Sequence, residues 1–311
     1  MNKKTVFQKI KSFLLDDKLR FSYLTELGFT RIMSDEAHLK KEYYLTLGKK
    51  LDLDNPVSFN EKIQWLKLHD RKPFYTTLVD KFEVKKYVAS VIGEEYIIPT
   101  IGVWEKFSDI DFETLPNQFV LKCTHDSGGL LICKDKRNFD LKSAKKKIEH
   151  CLRRKYYYIH REWPYKDVVP RIIAEPYIED KKTGELRDYK FFAFNGEVKV
   201  VFVATGRQNP DMETTFDFFD MDYKHLDIVN GHPNAEIIPE KPKNFEKMKE
   251  LAKVLAKDIP HIRVDFYEVN EKIYFGELTF SHWSGMVPFE PVEWDYILGS
   301  WLELPKENIE G

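Results

Sequence analysis

Two hydrophobic patterns follow one another along this chain. Up to about residue 110 the apolar residues recur three and four positions apart, as they do on the buried face of a helix. From residue 118 onward, short apolar runs alternate with glycine, asparagine and proline, a pattern typical of strands and turns. Because like elements come in runs instead of alternating strictly as strand and helix, the order predicts an α+β fold.

The helical region contains one well-marked helix start. Ser58 is followed three positions later by Glu61, which is the signature of a capping box, and the apolar residue Ile63 comes next. A second helix is predicted at about residues 80–88. Gly93 marks the exit from that helix.

The strand region begins with two short apolar runs that flank a glycine-bearing loop, which predicts a hairpin. The clearest hairpin is formed by two later runs joined through Asn195 and Gly196, because this dipeptide favours the tight turn of two-residue hairpins. The predicted strands are residues 119–121, 130–132, 171–174, 189–194, 198–203, 262–267 and 272–280. The predicted helices of this region are residues 141–156 and 244–257.

At 311 residues the chain exceeds the size that one hydrophobic core usually supports, so more than one lobe is expected. The pattern predicts a mainly helical region at residues 1–110, a small lobe with the glycine-bearing loop at 111–175, and a lobe with a larger sheet at 176–311. No repeat or low-complexity linker separates them, so these boundaries depend on the type of element alone.

Charge and cysteine content narrow the function classes. Lys and Arg number 49 and Asp and Glu 51, a balance that argues against a general nucleic-acid binder. Three cysteines are too few for a disulfide framework and indicate a reducing, cytoplasmic setting, although Cys123 and Cys133 are also candidates for a pair across the first hairpin. No apolar run reaches the roughly 18 residues of a membrane span, and no secretory signal is recognised.

The first residues of the chain combine charge with hydrophobicity. Apolar residues that fall on one helical face are interspersed with lysines, which predicts a basic amphipathic helix in peripheral contact with the inner face of the cell membrane. A solvated helix packed on the protein body fits the same residues. The lysines are Lys3, Lys4, Lys9 and Lys11, and the apolar residues are Val6, Phe7, Ile10, Phe13 and Leu14.

A phosphate-binding loop is indicated within the first hairpin. Lys122 ends the first strand, and Ser127, Gly128 and Gly129 follow in the loop. Glycines allow backbone N–H groups to approach a phosphate closely, and a nearby ammonium group neutralises its charge. A plain turn would use the same residues, since serine and glycine favour turns. His125 is interpreted as an anchor of the loop, with a general base as the alternative.

Acidic residues near the C-terminus indicate a cation site. Arg263 and Asp265 lie on one predicted strand and Glu277 and Thr279 on the next, and alternation places each pair on one face. Two carboxylates and a hydroxyl suit Mg²⁺, which completes its octahedral coordination with phosphate oxygens and water. Arg263 beside them would stabilise charge in a transition state. An ordinary ion pair on a solvated sheet face is the alternative.

These residues belong to a longer series of motifs. In this order and spacing the series resembles the TupA-like branch of the ATP-grasp superfamily, from about residue 55 to the C-terminus. The resemblance implies an ATP-grasp fold, in which two α+β lobes hold ATP between them after the helical N-terminal region. The matching segments are residues 58–65, 79–81, 119–122, 125–129, 172–175, 188–192, 263–265 and 275–280.

The resemblance implies where ATP would bind. The two lysines that contact its phosphates would be Lys81 and Lys122. The flexible loop that closes over them would be Ser127, Gly128 and Gly129. The hinge strand whose backbone reads adenine would be Glu175, Tyr177 and Ile178, with Asp188 at or near the ribose.

The resemblance also implies the catalytic and metal-binding residues. The basic residues that follow the hinge would be Lys190 and Arg207, which are expected to assist catalysis together with Arg263, the expected stabiliser of the transition state. The magnesium ligands would be Asp265 and Glu277, with Thr279 at the position where many ATP-grasp ligases have an asparagine. Ser284 and Gly285 stand where such ligases usually have Pro-Gly, so the acceptor end of the site departs from the pattern.

The implied function is that of a carboxylate–amine ligase. ATP would phosphorylate a carboxylate to an acylphosphate, and an amine would displace phosphate to give an amide. The implied setting is surface-polysaccharide assembly, for example the joining of an amino acid to a uronic acid, so the expected partner is a small molecule or a polysaccharide precursor. A kinase on the same fold would use the same ATP-binding residues.

A glycosyltransferase is the second hypothesis. Asp220 and Asp222 form an acidic pair that would hold a divalent metal and a nucleotide sugar. This hypothesis leaves Lys122 and Glu277 without a role. A nucleotide-binding scaffold without enzymatic activity is the third hypothesis.

An aromatic and basic segment follows the predicted basic helix. Its rings present flat apolar faces to a sugar, and the flanking bases would pair with a uronate or a phosphate. Packing for stability alone accounts for the segment equally well. The aromatic residues are Tyr156, Tyr157, Tyr158, Trp163 and Tyr165, and the bases are Arg153, Arg154, Lys155 and Arg161.

Overall fold

The computed structural model of the chain describes residues 13, 15–207 and 212–306. Within these residues the predicted helical region is confirmed, because five α-helices precede the first strand. They are α1 (Asp17–Glu26), α2 (Asp35–Leu47), α3 (Phe59–His69), α4 (Phe74–Val79) and α5 (Glu83–Ile92). The predicted amphipathic helix of the first residues lies outside the described part of the chain, except for Phe13.

Helix α3 begins with the predicted capping box. The hydroxyl of Ser58 accepts a hydrogen bond from the backbone of Glu61 at 3.3 Å, and the Glu61 carboxylate accepts one from the backbone of Ser58 at 3.0 Å. Helix α5 begins at Glu83, three residues later than predicted. The reason is that the carboxylate of Asp80 accepts hydrogen bonds from the backbone of Phe82 and Glu83, which makes a turn before the helix.

A four-stranded antiparallel sheet follows, with the strand order β1-β4-β2-β3. Helix α6 covers it by burying Ala144, Ile148 and Cys151 against Phe119 and Leu121, and it ends at Arg153 instead of residue 156. The elements of this part are β1 (Gly102–Trp104), β2 (Phe119–Cys123), β3 (Leu130–Cys133), α6 (Leu141–Arg153), the short helix α7 (Tyr157–His160) and β4 (Ile172–Pro176). The predicted hairpin at residues 119–132 is therefore confirmed.

Strand β1 lies before residue 110 and pairs with β4, which itself extends past residue 175. The lobe boundaries at 110 and 175 stay predictions. Sequence patterns did not indicate β1, because three residues are too short to display alternation.

A six-stranded antiparallel sheet forms the rest of the fold, with the strand order β10-β9-β5-β6-β7-β8. The Asn-Gly hairpin is confirmed, since Asn195 and Gly196 join β5 to β6 with φ angles of 50° and 83°. The elements are β5 (Asp188–Phe194), β6 (Glu197–Thr205), β7 (Thr215–Phe219), β8 (His225–Leu226), α8 (Phe245–Leu255), β9 (His261–Val269), β10 (Lys272–Thr279) and α9 (Glu293–Trp301). Mixed helices and antiparallel sheets confirm the α+β class.

The two faces of the large sheet have different surroundings. One face packs against α5 and α8 through residues such as Phe191 and Val264. On the other face, one end is covered by α3 and α9, where Phe192 and Phe194 meet Phe59. The polar residues of β5, β9 and β10 occupy the remaining end of that face. Alternation along the strands thus leaves a polar surface open toward the small sheet.

Candidate active site

A cleft between the two sheets contains three cavities that share lining residues. The central cavity is lined by basic side chains that include Lys81, Lys122 and Lys190. The apolar cavity, lined by Val120, Ile132, Tyr177 and Ile178 among others, shares Lys122 and Glu175 with the central one. The distal cavity has a volume of about 320 Å³, contains Tyr156, Tyr165 and Trp283, and shares Lys81, Lys190 and Glu277 with the central one.

The loop between β2 and β3 forms one wall of the central cavity. The backbone N–H of Gly129 donates to the Asp126 carboxylate at 2.8 Å, so the loop folds back on itself. A Cβ atom at Gly129 would lie 2.5 Å from Cβ of Cys123, so this position requires glycine. Ser127 and Gly128 are exposed, and the Ser127 hydroxyl lies 3.2 Å from that of Tyr156. The loop therefore presents the residues predicted to close over phosphate.

His125 anchors this loop to α6. Its Nε2 atom lies 3.1 Å from the carbonyl oxygen of Cys151, and its side chain is buried and lines none of the three cavities. Burial lowers the pKa of His125 below its ordinary value. The structure supports the anchoring role and gives the histidine no access to a substrate.

Lys81 is held against the same loop. Its ammonium group donates to the carbonyl oxygen of Asp126, and its backbone N–H donates to that of Thr124 at 3.2 Å. This double contact joins the start of α5 to the phosphate loop. The ammonium group thereby lines both the central and the distal cavity.

Glu175 holds two lysines in the central cavity. Its carboxylate oxygens lie 2.5 Å from Nζ of Lys122 and 2.5 Å from Nζ of Lys85. Burial alone would raise the pKa of Glu175, but the two ammonium groups lower it below its ordinary value. Sequence reasoning missed Lys85. Its position four residues after Lys81 was the available signal, since residues at that spacing tend to lie on one side of a helix.

The segment after β4 borders the apolar cavity. Strand β4 ends at Pro176, and Tyr177 and Ile178 follow it in the cavity wall. No hydrogen bond joins the backbone of Tyr177 or Ile178 to another described residue. Backbone donors and acceptors therefore remain beside the apolar cavity, as the hinge prediction requires. The side chain of Glu175, in contrast, belongs with the lysines of the central cavity.

Opposite charges alternate across β5, β9 and β10. Lys190 pairs in register with Asp265, its ammonium group donates to the Asp265 carboxylate, and it lies 3.4 Å from Asp188. Arg207 donates to the Asp188 carboxylate, and this charge pairing raises the pKa of the guanidinium. Asp188 is buried in these ion pairs. Its predicted contact with a ribose stays a prediction.

Arg263 organises the centre of the polar surface. Its guanidinium donates twice to Asp265 at 2.7 Å, to Glu277 at 3.1 Å and to the Thr279 hydroxyl at 3.0 Å. The predicted shared face of these four residues is confirmed. It is not a solvated sheet face, because Arg263 and Asp265 are both buried.

A histidine that sequence reasoning missed supports Arg263 from behind. Nη1 of Arg263 donates to Nδ1 of His282 at 2.8 Å, and Nε2 of His282 lies 2.8 Å from the side-chain oxygen of Asn230. Burial, followed by the charge of Arg263, lowers the pKa of His282 well below its ordinary value. The imidazole is therefore neutral, accepts from Arg263 and donates to Asn230. No local pattern links positions 230, 263 and 282.

Glu277 is the carboxylate that faces the cleft. It follows an irregularity of β10 at Gly276, keeps 40% of its side-chain surface exposed and uses only Oε1 for hydrogen bonds to described residues. Burial would raise the pKa of Glu277, but Lys190, Arg263 and other neighbouring cations lower it to about 2. The group is thus ionised at any physiological pH.

The carboxylates of the polar surface fit a hard cation that takes most of its ligands from a bound phosphate and from water. The described residues contain no group of three or more His, Cys, Asp or Glu side chains placed to hold a metal ion. Mg²⁺ needs only one or two carboxylates when phosphate oxygens and waters complete its coordination. Glu277 and Asp265 stand opposite each other in register, although both oxygens of Asp265 already accept hydrogen bonds. Thr279 as a ligand stays a prediction, since its hydroxyl is bound by Arg263.

A left-handed turn forms the floor of the distal cavity. Trp283, Ser284 and Gly285 have φ angles of 47°, 56° and 62°, a conformation that is strained for the two residues that have a side chain. The buried ammonium group of Lys67 holds the turn by donating to the Ser284 carbonyl at 2.7 Å, and the Ser284 hydroxyl donates to Glu162 at 2.5 Å. The turn thereby sets the position of the Trp283 ring in the cavity wall.

The aromatic and basic segment divides between two locations. Tyr156 and Tyr165 line the distal cavity with ring centroids 4.8 Å apart. A sugar site at these rings stays a prediction. None of the flanking bases lines this cavity, although the guanidinium carbon of Arg154 lies 6.0 Å from the ring centroid of Tyr156. Their pairing with a uronate or a phosphate stays a prediction. Arg161 is fully buried and donates to the carbonyl of Thr30 at 2.7 Å, and Arg154 reaches Glu26 at 3.1 Å.

The acidic pair of the glycosyltransferase hypothesis lies in a turn. The Asp220 carboxylate accepts hydrogen bonds from the backbone of Asp222 at 3.0 Å and of Lys224 at 2.8 Å, which closes the turn between β7 and β8. Neither aspartate lines the cleft. The structure therefore gives this pair the role of closing a turn outside the cleft, and a metal site there stays a hypothesis. The alternative of a Cys123–Cys133 pair is not seen, because both cysteines are free and buried.

Comparison with known proteins supports the fold. The sequence model of the family described as TupA-like ATPgrasp matches residues 61–303. No curated protein matches the sequence. Among solved structures, L-amino acid ligase from Bacillus licheniformis matches with 14% identity and a TM-score of 0.45, over 96% of this chain and 65% of that one.

Two ligases of another kind are also similar. D-Alanine-D-Alanine ligase from Helicobacter pylori matches with 14% identity and a TM-score of 0.44, over 79% of this chain and 69% of that one. The D-alanine–D-alanine ligase from Bacillus anthracis complexed with ATP matches with 15% identity and a TM-score of 0.38, over 66% of this chain. This chain covers 55% of that enzyme's length.

Proposed function

Since the chain belongs to the TupA-like ATP-grasp family, whose model matches residues 61–303, we propose that it is an Mg-ATP-dependent ligase that joins a carboxylate to an amine. The carboxylate would be activated as an acylphosphate. The acceptor would be a surface polysaccharide or one of its sugar precursors, for example a uronic acid joined to an amino acid.

One observation carries this proposal. Cationic and carboxylate side chains line the junction of the central and distal cavities. The apolar cavity adjoins the central cavity on one side, and the aromatic-lined distal cavity adjoins it on the other. An apolar cavity suits a nucleobase, a cationic centre suits a triphosphate, and the distal cavity leaves room for an acceptor. The residues shared by the central and distal cavities are Lys81, Ser127, Lys190, Arg207 and Glu277.

The first chemical step would be phosphoryl transfer. A carboxylate oxygen of the substrate would form a bond to the γ-phosphorus of ATP as the bond to the β,γ-bridging oxygen breaks, and ADP would leave. Lys81 and Lys122 would bind phosphate oxygens, and Ser127 in the loop would limit access of water. Glu277 and Asp265 would hold Mg²⁺, which would neutralise negative charge on the phosphates.

The second step would form the amide bond. The nitrogen of an amine would attack the acyl carbon, lose a proton, and displace inorganic phosphate. Arg263 is fixed by Asp265 and by neutral His282, so its remaining Nη1 hydrogen is oriented without further reorganisation. A fixed guanidinium next to the reacting carbon would stabilise the oxyanion that forms there.

The distal cavity supports a sugar as part of the acceptor. Tyr156, Tyr165 and Trp283 offer ring faces, and the neighbouring Glu162 and Ser281 offer polar atoms. Sugars are bound by this combination, because their C–H faces pack on rings while their hydroxyls form hydrogen bonds.

A trapping assay tests the proposal. The protein would be incubated with Mg-ATP, a panel of uronic and amino acids, and hydroxylamine, and ADP and hydroxamate would be measured together. Hydroxylamine converts acylphosphates to hydroxamates and does not react with ordinary phosphate esters. The proposal predicts both products with one acid of the panel.

Other outcomes distinguish the remaining hypotheses. ADP without hydroxamate, together with a phosphorylated sugar, would replace the ligase with a kinase that uses the same nucleotide site. Consumption of a nucleotide sugar without ADP would support a glycosyltransferase instead. Asp222→Asn serves as a second check, since the ligase proposal expects unchanged turnover from a residue in the exposed β7–β8 turn.

A further inference from the structure

Charge is distributed unevenly between the start of the chain and the rest. Residues 1–32 contain seven Lys and Arg against three Asp and Glu, although the whole chain contains 49 against 51. The first segment is therefore basic on a protein that is otherwise acidic. A local excess of one sign attracts surfaces of the opposite sign.

The described part of this segment exposes large apolar side chains. Helix α1 uses one side for packing, where the Phe21 ring lies 5.1 Å from that of His38 and Thr25 is buried. Its other side and the turn that follows remain in contact with solvent, and Ile32 is 94% exposed. We call these side chains the apolar patch: Leu15, Leu19, Tyr23, Leu27, Phe29 and Ile32.

Exposed bases lie near the apolar patch. The segment after α6 lies beside it, because Arg154 reaches Glu26 at 3.1 Å and Arg31 lies 5.3 Å from the ring centroid of Tyr158. The neighbours of Arg154 in the sequence, Arg153 and Lys155, are exposed. We call the exposed bases of this region the basic rim: Lys18, Arg31, Arg153 and Lys155.

We propose that the apolar patch and the basic rim bind the surface of an anionic lipid bilayer. Apolar side chains of this kind insert at the boundary of headgroups and acyl chains, and surrounding lysines and arginines are attracted to anionic headgroups. Six large apolar residues within 18 positions, with the exposed bases of the basic rim nearby, supply the two signals that stable peripheral binding needs. The exposed Asp16, Asp17 and Glu26 lie in the same segment and reduce its positive charge.

The sequence before the patch continues the same chemistry. Lys3, Lys4, Lys9 and Lys11 precede it with apolar residues between them. Among the described residues, none of the helices has the length and apolar character needed to cross a bilayer. The inference concerns the location of the protein and does not depend on the reaction proposed above.

Vesicle co-sedimentation tests the inference with the full chain. The probes are vesicles of phosphatidylcholine alone and of phosphatidylcholine mixed with phosphatidylglycerol. The expected result is sedimentation with the anionic vesicles only, weakened by added salt. The triple variant Leu19→Asp, Phe29→Asp, Ile32→Asp should weaken the partitioning by about tenfold or more, because three apolar side chains no longer insert.

Matched variants separate the patch from the rest of the surface. Arg153→Glu with Lys155→Glu should also weaken binding about tenfold. The controls Ile237→Asp with Val254→Asp, and Lys224→Glu with Lys257→Glu, change apolar and basic residues that are exposed elsewhere and should bind like the parent protein. Circular dichroism and ATP binding of every variant verify that fold and nucleotide site are intact.

Three results would overturn the inference. They are absence of sedimentation, equal binding to neutral vesicles, and equal loss in the control variants. A concentration-dependent dimer that the triple variant abolishes, without vesicle binding, would assign the patch to a second copy of the chain. Retained ATP binding in each case would leave the proposed function standing.

Discussion

The position of Lys122 in the site could be predicted from the local sequence, but its ion-pair partner Glu175 could not. Its place at the end of β2 beside the glycine loop indicated a phosphate contact, and the structure brings its ammonium group to 2.5 Å from Glu175 in the central cavity. Bound phosphate would have to compete with this carboxylate for the lysine. Lys122 can therefore bind a phosphate only where the surrounding residues let the phosphate compete with Glu175.

The first prediction concerns this lysine. Lys122→Ala should weaken Mg-ATP binding by about 10- to 100-fold, because a hydrogen bond to a charged group contributes about 1.5–3 kcal/mol. Isothermal titration with Mg-ATP measures the change. Lys142→Ala, an exposed lysine on α6 outside the cleft, is the matched control and should bind ATP like the parent. Equal affinity in both variants would remove Lys122 from the nucleotide site.

The second prediction concerns Glu277. Glu277→Gln should reduce ATP turnover by at least about 100-fold, because it removes a charged ligand for the cation that neutralises the transferring phosphoryl group. The melting temperature should change little, since the side chain is 40% exposed and makes few contacts. Glu271→Gln in the β9–β10 turn is the control for loss of one acidic charge. A parallel loss of folding would mean that Glu277 is structural.

Within single elements, the glycines of two hairpins differ in their backbone conformation and surroundings. Gly196 has a φ angle of 83° in the turn between β5 and β6, and an added Cβ there would make an ordinary contact, 4.0 Å from the carbonyl oxygen of Ala256. Gly128 has no such conformation, and an added Cβ would meet the Arg154 side chain at 3.1 Å and the Asp126 carboxylate at 3.9 Å. We therefore expect the first glycine to serve the fold and the second to serve access to the loop backbone.

The third prediction follows from this difference. Gly196→Ala should lower the free energy of unfolding by about 1 kcal/mol, because a left-handed conformation is unfavourable for alanine, and should leave ATP affinity unchanged. Gly128→Ala should do the reverse, with weaker ATP binding and a nearly unchanged stability. Urea denaturation and ATP titration of both variants check the pair. Identical profiles for the two variants would refute the separation of roles.

At the scale of the whole molecule, an ion pair between α2 and α7 connects the helical region to the cleft. Nδ1 of His160, at the end of α7, lies 2.6 Å from the carboxylate of Glu42 on α2, with Lys67 and Glu162 nearby. Burial would lower the pKa of His160, but Glu42 raises it above its ordinary value. Burial would likewise raise the pKa of Glu42, but His160 and its other neighbours lower it to about 2.

The fourth prediction is the pH dependence of stability that this pair produces. Because the folded pKa of His160 lies above its unfolded value, the contribution of the pair is complete below about pH 6.5 and is lost as the pH rises through the folded pKa. The parent should therefore lose about 0.5–1 kcal/mol more than His160→Gln on going from pH 6 to pH 9, since the imidazole is partly exposed. Urea denaturation at several pH values measures this.

The control for the pH prediction is His150→Gln, which removes an exposed histidine of α6. Its stability should follow the pH profile of the parent. A His160→Gln profile that runs parallel to the parent would contradict the proposed ion pair across α2 and α7.

Local physics explains what the sequence by itself determined. The capping box at Ser58, the Asn-Gly turn and the alternation that brings Arg263, Asp265 and Glu277 to one face depend on contacts within a few residues or between adjacent strands. The family resemblance added the order of these pieces and is supported by the match to residues 61–303. The α+β class and most members of the cleft could thus be predicted.

Only the tertiary structure decided which partners meet across the chain. Lys85 and Lys122 come together at Glu175 from three separate elements, and His282 supports Arg263 from outside any local pattern. The same holds for residues for which a functional role was one hypothesis and which the structure engages in the fold: Asp220 closes a turn, and Arg161 is buried in the helical region. A charged side chain has the same chemistry whether it binds a ligand or forms a structural contact. Its burial and its distant neighbours, which no short stretch of sequence encodes, determine whether it binds a ligand or holds the fold.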